Sequence, residues 1–473
     1  MVRDIQVLKR NSLFSLASAG TRLLSNSLLF ILLARFYGAE AFGQFTTAHT
    51  LSTIFILLAD FGFDMFLTTH VAQHKDADVV FPRMFGLKLL SSLLAAALMC
   101  ALPLLEGMSP GARELTWILS LYMAFTALLN LQFALFKGME QLHHEALIAF
   151  VMNAGLLGAL VLMGVLQASL VAIATVFVLS RVLGLVIALL RTRRFVRTII
   201  PLVDRSWVAT VWKRVGTFGV FFLFGNLFFS QDTVLLSFWR GDVEVGIYQS
   251  VFRLIIITLL AVDVLVSALL PMLSRYFVED RSQWNDLATL AGKTLLYAGL
   301  PVAVILFVYA EEIIDLVYGG GQFRDAVPIL QVFAVTVLIR YAVETPALLL
   351  TTANRQHVRM VLVVGGTVFN LLANAYAIPA YGAIGAAVVS LITNAALGVA
   401  YVASIRDLHR MHWLSWQRLL PTLGTLALGA ALWYLDVPLL TGVAAVLIVS
   451  TPLALGVGYT AVERQVLFQR VRG

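Results

Sequence analysis

The stretch ARFYGAEAFGQF, residues 34–45, places two glycines five positions apart, with an aromatic residue two positions after the second glycine. The same spacing returns 203 residues later in FWRGDVEVGIYQ, residues 238–249. Asp60 and Asp263 are separated by the same 203 residues. Glycines mark any tight turn, but an offset shared by these features favours an internal duplication of the chain.

The composition excludes an ordinary soluble protein. Of the 473 residues, 60% are hydrophobic and only 12% are charged, and the mean hydropathy is +0.90. The apolar residues come in blocks of about 20, which is the length that a helix needs to cross a bilayer. We therefore predict an all-α, polytopic membrane protein.

The apolar blocks and the polar breaks between them predict fourteen transmembrane helices, called spans one to fourteen below. They cover residues 11–33, 42–66, 84–105, 113–136, 146–166, 168–190, 215–239, 246–272, 287–309, 327–350, 358–378, 383–403, 418–435 and 438–461.

The distribution of basic residues supports this number of spans. With the N-terminus on the cytoplasmic side, 25 of the 33 Lys and Arg residues fall on the cytoplasmic side and four on the opposite side, as the positive-inside rule requires. We expect both termini in the cytoplasm. The net charge of +7 is spread over short loops without interleaved aromatic residues, so nucleic acid is not an expected partner.

Six spans separate the two copies of the glycine pattern, so the two halves are expected to have the same orientation. We predict an N-lobe of helices 1–6 in residues 1–200 and a C-lobe of helices 7–12 in residues 201–410. Residues 411–473 would form helices 13–14 and the C-terminal tail. Two parallel six-helix bundles around a central cavity suit a transporter that works by alternating access.

Polar side chains inside the spans are the candidate functional residues, because a charge in the bilayer is costly unless it faces a cavity or a partner. The candidates for substrate binding are Arg22, Asn26, Arg181, Arg253, Arg340, Asn370 and Asn374. The candidates for ion coupling or for structural charge pairs are Asp60, Asp232, Asp263 and Glu344.

Several of these residues allow two interpretations. Asp232 and Arg253 form either a structural ion pair or a substrate contact with its counter-charge. Arg340 and Glu344 lie four residues apart and either neutralise each other or form a proton-sensitive hinge. Asn370 and Asn374 either bind sugar hydroxyls or join neighbouring helices, and Asp60 and Asp263 either cap or pair at helix ends or bind a coupling ion.

Known catalytic and metal motifs do not account for this chain. A nucleotide-binding G-x4-G-K-[ST] sequence does not occur. His70 and His74 are four residues apart, but no convergent cysteine or carboxylate completes a metal site. We therefore predict no cofactor, no metal and no enzymatic activity.

The chain resembles the multidrug/oligosaccharidyl-lipid/polysaccharide (MOP) exporter superfamily, and within it the bacterial flippases of lipid-linked O-antigen and related polysaccharide units. The resemblance rests on LLARFYGAEAFGQF (32–45), QDTVLLSFWRGDVEVGIYQSVFRL (231–254), TTANRQH (351–357) and IPAYGAIGAAVVSLIT (378–393). One departure is that Asp232 precedes Thr233, whereas such proteins often have Arg or Lys there.

The resemblance implies a flippase of the bacterial inner membrane. Its substrate would be an undecaprenyl-pyrophosphate-type oligosaccharide for O-antigen or lipopolysaccharide, moved from the cytoplasmic to the outer leaflet. Expected partners are membrane lipids, a coupling ion (proton or sodium), and a polysaccharide polymerase or glycosyltransferase. Related lipid II flippases use arginines in helices one and eight, where this chain has Arg22 and Arg253.

Two alternatives belong to other functional classes. A cation-coupled multidrug exporter of the MATE type typically carries an acidic residue in helix one, whereas this chain carries Arg22. A membrane glycan polymerase or ligase generally needs a large outer loop with catalytic charges, and the outer connections here are short.

Overall fold

The structure of the chain is a computed structural model. It describes residues 2–104, 107–204, 207, 211, 215, 219, 230–409, 415–461, 463 and 464, and only the backbone of 2–24 and 416–418. The described residues form helices and connecting turns, with no strand among them.

The chain divides into two compact units, Met1–Ser250 and Val251–Gly473. The boundary between these units lies inside a continuous helix. The predicted lobe boundaries after residues 200 and 410 were drawn from the sequence repeat and not from contacts between residues. They stay predictions.

The first unit contains six long helices and the start of a seventh. They are α1 (Val2–Asp60), α2 (Phe63–His74), α3 (Ala77–Ala101), α4 (Pro110–Gly138), α5 (Leu142–Val165) and α6 (Leu170–Thr192). Residues 230–239 are also helical. The α4 helix packs against α1, α2, α3 and α6 and so forms the centre of this unit.

The second unit contains most of α7 and six further helices. They are α7 (Asp242–Glu279), α8 (Arg281–Val308), α9 (Ala310–Tyr318), α10 (Ala326–Thr352), α11 (Gln356–Ile405), α12 (Trp416–Tyr434) and α13 (Leu439–Leu453). The α10 helix packs against both α8 and α11. The α12 and α13 helices pack against each other and against α8.

The predicted all-α fold of fourteen membrane helices is confirmed. Ten helices among the described residues are long and apolar enough to cross a membrane. Two of these, α1 and α11, each join two predicted spans across a kink at Gly38 or Gly382. A shorter apolar helix at Leu419–Tyr434 matches span thirteen. Span seven is described fully only at 230–239, and most of its other residues lie outside the described part.

Local sequence explains where several of these helices begin. Ser109 and Ser169 are extended N-cap residues, and their hydroxyl oxygens accept hydrogen bonds from the amides of Ala112 and Ala172, each at 3.2 Å. Such side chains satisfy amides that the first helical turn leaves without a partner.

The first glycine of each copy of the glycine pattern has a positive backbone φ. Gly38 and Gly241 both lie in the left-handed region, with φ of 80° and 87°, and a helix follows each of them. Glycine adopts this conformation without the steric cost of a Cβ. The sequence repeat is therefore also a structural repeat of the turn.

The two copies also contact each other reciprocally within the first unit. A Cβ added at Gly43 would overlap the carbonyl oxygen of Asp242, and one added at Gly246 would overlap the carbonyl oxygen of Ala39. Ala39 and Asp242 are related by the same 203-residue offset as the two glycines. This pattern is the one that a local two-fold relation between two helix starts produces.

Candidate functional site

The first-helix candidates are described only in part. Arg22 lies within α1, but its side chain is outside the described residues, so its position facing a cavity stays a prediction. Asn26, one turn later in the same helix, is half-buried.

Arg181 of α6 packs against an aromatic side chain of α4. Its guanidinium donates a hydrogen bond to the Tyr122 hydroxyl at 3.4 Å, and its Cζ lies 5.1 Å from the centroid of the Tyr122 ring. The Nε of Arg181 is buried and has no hydrogen-bond partner among the described residues. A cation held on an aromatic face with unused donors is suited to an anion.

Beside Tyr122 lies a buried histidine that the sequence analysis did not select. The ring of His49 is 5.6 Å from that of Tyr122 and 4.9 Å from that of Phe30. Phe45 and Phe177 complete the aromatic cluster. The signal in the sequence was a single histidine within the apolar span two.

Asp232 and Tyr248 join residues 230–239 to the start of α7. The Tyr248 hydroxyl donates a hydrogen bond of 2.7 Å to the carboxylate of Asp232. Next to this pair, the amide of Gln249 donates to the hydroxyl of Thr233. All four side chains are buried. This polar contact was not predicted, and the ion pair of Asp232 with Arg253 stays a prediction.

Arg253 lies inside the membrane-spanning part of α7. Its side chain is buried, with 8% exposure, and its charge interacts with Tyr318 at the end of α9. A guanidinium buried in a span this apolar must be balanced by polar or negative groups.

Asp263, Arg340 and Glu344 belong to one electrostatic cluster of the second unit. Asp263 of α7 interacts with both Arg340 and Glu344 of α10. Glu344 also forms an ion pair of 3.6 Å with Arg359 of α11, and Arg359 donates a hydrogen bond of 3.0 Å to Thr351. Arg359 was not among the candidates selected from the sequence, so this pairing was missed.

Asn370 and Asn374 connect the two parts of α11. Both are fully buried. The amide of Asn374 donates to the side-chain oxygen of Asn370 at 3.0 Å, and the amide of Asn370 donates to the hydroxyl of Thr393 at 3.3 Å. These bonds favour the interpretation in which the two asparagines join helices.

Asp60 lies at the end of α1, where it pairs with Lys88 of α3. Asp64, at the start of α2, pairs with the same lysine. Sequence analysis selected Asp60 but neither of its partners. Elsewhere, His70 contacts Asp76 at 3.1 Å, and the described residues contain no group of three His, Cys, Asp or Glu side chains suited to a metal ion.

Comparison with known families identifies one match. The profile of the family described as "Polysaccharide biosynthesis protein" matches residues 8–277, which is more than half of the chain. No curated protein matches the chain.

Several solved structures share the fold. A structure titled "Lipid II flippase MurJ, inward closed conformation" has a TM-score of 0.75 at 13% identity, covering 98% of this chain and 100% of that chain. An inward-facing multidrug resistance MATE transporter of the MOP superfamily has a TM-score of 0.67 at 15% identity, covering 82% and 94%. A MOP superfamily transporter from Pyrococcus furiosus, whose title reports a binding pocket of reversed polarity, has a TM-score of 0.58 at 14% identity, covering 85% and 95%. At these identities the likeness concerns the fold.

Proposed function

This chain belongs to the polysaccharide biosynthesis protein family, a flippase family of the MOP superfamily, and from that premise we propose which molecule it moves. The proposed substrate is an oligosaccharide repeat unit linked to a polyprenyl pyrophosphate of the undecaprenyl type. The protein would carry it from the cytoplasmic to the outer leaflet of the bacterial inner membrane for O-antigen or related glycans.

The observation that carries this proposal is a buried guanidinium in an apolar helix. Arg253 is 8% exposed within α7, whose most apolar window has a mean hydropathy of 2.5. A guanidinium stays charged and presents paired donors that match phosphate oxygens. A pyrophosphate in the substrate would be a negatively charged ligand that such a group can bind.

The mechanism follows from the two chemical parts of such a lipid. The glycan and pyrophosphate cannot enter hydrocarbon, so they would cross through a cationic cavity that opens to each side in turn. The prenyl tail would stay in the bilayer. In this proposal Arg22, Arg181 and Arg340 contribute further positive charge, and Asn26 contributes a hydrogen-bond donor.

The remaining parts of the proposal concern orientation and energy. The asymmetry of Lys and Arg supports a topology with both termini in the cytoplasm. Transport would use a proton or sodium gradient, and a polymerase or glycosyltransferases acting on the same glycan would be partners. The structural likeness to a multidrug MATE transporter favours, as a second candidate, a cation-coupled exporter of drugs.

Reconstitution in liposomes distinguishes the two candidates. A polyprenyl-pyrophosphate sugar with a fluorescent label on the sugar would be loaded in both leaflets, and a membrane-impermeant quencher would report the fraction that reaches the outside. We expect the wild-type protein to move this anionic lipid and Arg22→Ala and Arg253→Ala to lose most of the activity. Arg22→Lys or Arg253→Lys would retain part of the activity if charge suffices.

The matched control is Arg324→Ala, which removes an arginine whose side chain is 78% exposed. It should flip at the wild-type rate. Unchanged flipping by both alanine variants would contradict the role of the arginines. Movement of a cationic dye, without movement of the anionic lipid, would support the drug exporter instead.

A further inference from the structure

Span two is broken where a buried lysine meets two partly buried carboxylates. The α1 helix ends at Asp60 and α2 begins at Phe63. Between them, Phe61 and Gly62 are both left-handed, with φ of 44° and 90°. A left-handed phenylalanine is uncommon and costs conformational energy, so surrounding contacts must hold the break in place.

Lys88 of α3 bridges this break. Its Nζ donates hydrogen bonds to the carboxylate of Asp60 at 2.5 Å and to that of Asp64 at 2.9 Å. The backbone amide of Asp64 also donates to the carboxylate of Asp60 at 3.1 Å. The lysine side chain is 0% exposed and the two carboxylates are 13% and 22% exposed. One cation thus ties the last residue of α1 to the first turn of α2.

Within the part of the cluster that the structure describes, the charges do not balance. Two carboxylates and one ammonium leave one negative charge in excess, which is costly away from water. Lys88 is attracted by both carboxylates, and each carboxylate interacts with Lys88 and with the other carboxylate. From α4, the contact near the break is uncharged, since Thr68 of α2 donates to the carbonyl of Ala134.

The residues of span seven that pack on the break are also uncharged where they are described. A Cβ at Gly62 would meet the side chain of Val215, and one at Gly219 would meet Phe61. The smallest cation that removes the excess charge is a proton, because a carboxylate oxygen can accept it without any rearrangement of ligands.

We propose that the joint formed by Asp60, Asp64 and Lys88 binds one proton. Binding of this proton changes the angle between α1 and α2 at Phe61 and Gly62. The proton binds a carboxylate oxygen, while Lys88 keeps its own charge. The protonated carboxyl is neutral and holds the lysine less strongly, so the bridge across the break weakens. The binding belongs to the coupled pair of carboxylates and not to one of them.

The inference concerns the protein without substrate. Its use in transport rests on the proposed function, but proton binding and bending do not. They are therefore measured on the purified chain in lipid nanodiscs with no lipid-linked sugar present.

Two measurements test the proposal on the same samples. Infrared difference spectroscopy detects the carbonyl band of a protonated carboxyl as the pH is lowered from about 9 to about 5. Spin labels at Gln73→Cys on α2 and Glu140→Cys after α4, both at exposed positions, report the distance across the joint. Cys100→Ser removes the single native cysteine.

We expect the wild-type protein to gain a carboxyl band and to change its label distance over the same pH range. Asp64→Asn leaves one carboxylate with one lysine, so its carboxyl band should be weaker than the wild-type band and its label distance should stay at the low-pH value at all pH values. Asp60→Asn is a second variant with the same charge and the same expected behaviour. Asp286→Asn, at an exposed carboxylate of α8, should behave like the wild type.

Three outcomes would overturn the proposal. The first is a carboxyl band that is as intense in both variants as in the wild type. The second is a band that titrates while the label distance stays constant, which would leave a proton site without a joint. The third is a distance that follows the sodium concentration and not the pH.

Discussion

The two halves of the chain keep the same glycines but use their buried lysines differently. Lys88 lies in span three and Lys293 lies in span nine, the third helix of each repeat, and both are almost fully buried. Lys88 pairs with Asp60 at the end of α1 and with Asp64 at the start of α2. Lys293 instead binds both oxygens of Glu463, which follows the last helix, at 2.9 Å.

This difference shows how the repeat has diverged. Asp263 is related to Asp60 by the repeat offset, but it interacts with Arg340 and Glu344 of α10. The lysine of the second half thus depends on the C-terminal segment for its acid. Backbone packing preserved the glycines in both halves, while the buried charges could exchange partners wherever another group of opposite sign was near.

The largest expected loss of stability follows substitution of Lys88, which pairs with two carboxylates. Lys88→Met leaves two buried carboxylates with no cation, and breaking such a contact typically costs about 3–5 kcal/mol. Lys293→Met leaves one acid, Glu463, which can turn to solvent, so its cost should be smaller. Thermal unfolding of both variants in the same detergent measures the difference.

A rescue variant makes this comparison sharper. Adding Asp60→Asn and Asp64→Asn to Lys88→Met removes the charges that the lysine balanced, and it should recover much of the lost stability. Equal destabilisation by the two lysine variants would contradict the asymmetry between the halves.

A smaller loss of stability is expected for substitutions of the glycines that the two halves share. Gly43→Ala and Gly246→Ala each place a Cβ against a carbonyl oxygen of the other copy, and overpacking of this kind costs about 1–3 kcal/mol. Because the two contacts are reciprocal, the two variants should lower the unfolding temperature by similar amounts. Gly155→Ala is a matched control, since a Cβ there meets no atom within 4 Å.

The sequence allowed the fold to be predicted because its signals are local or periodic. Apolar blocks gave the spans, and the glycine spacing gave the repeated turn at Gly38 and Gly241. The charge contacts were harder to predict. Lys88 was not selected from the sequence, because a lysine near the end of a span has the same sequence pattern whether it reaches lipid headgroups or buried acids.

The partners of the arginines show the same limit. Arg181 meets Tyr122 from another helix, and Glu344 meets Arg359 across a turn. The spacing of Arg340 and Glu344 indicated neither contact, and both interpretations of that pair stay predictions. Spacing along one helix identifies residues on a shared face. It does not indicate which neighbouring helix provides a stronger partner, because that depends on packing between distant segments.

The smallest expected effect is the pH dependence of the C-terminal contact. Burial raises the pKa of Glu463, but hydrogen bonds and charge from Lys293, with the amide of Thr460, outweigh it and hold the pKa below its ordinary value. Because the pKa of Glu463 is lower in the folded state, the contact contributes its full stabilisation at pH values above the unfolded-state pKa of about 4.5. This stabilisation is lost as the pH falls through the folded-state pKa. Glu463→Gln should therefore lower the unfolding temperature near neutral pH, and its difference from the wild type should shrink below about pH 4.5.

Glu279→Gln removes an exposed acid paired within one helix turn and should have almost no effect, because such surface pairs contribute about 0.3–0.5 kcal/mol. If Glu463→Gln and Glu279→Gln give the same unfolding curve at every pH, the C-terminal segment does not supply the acid that Lys293 needs.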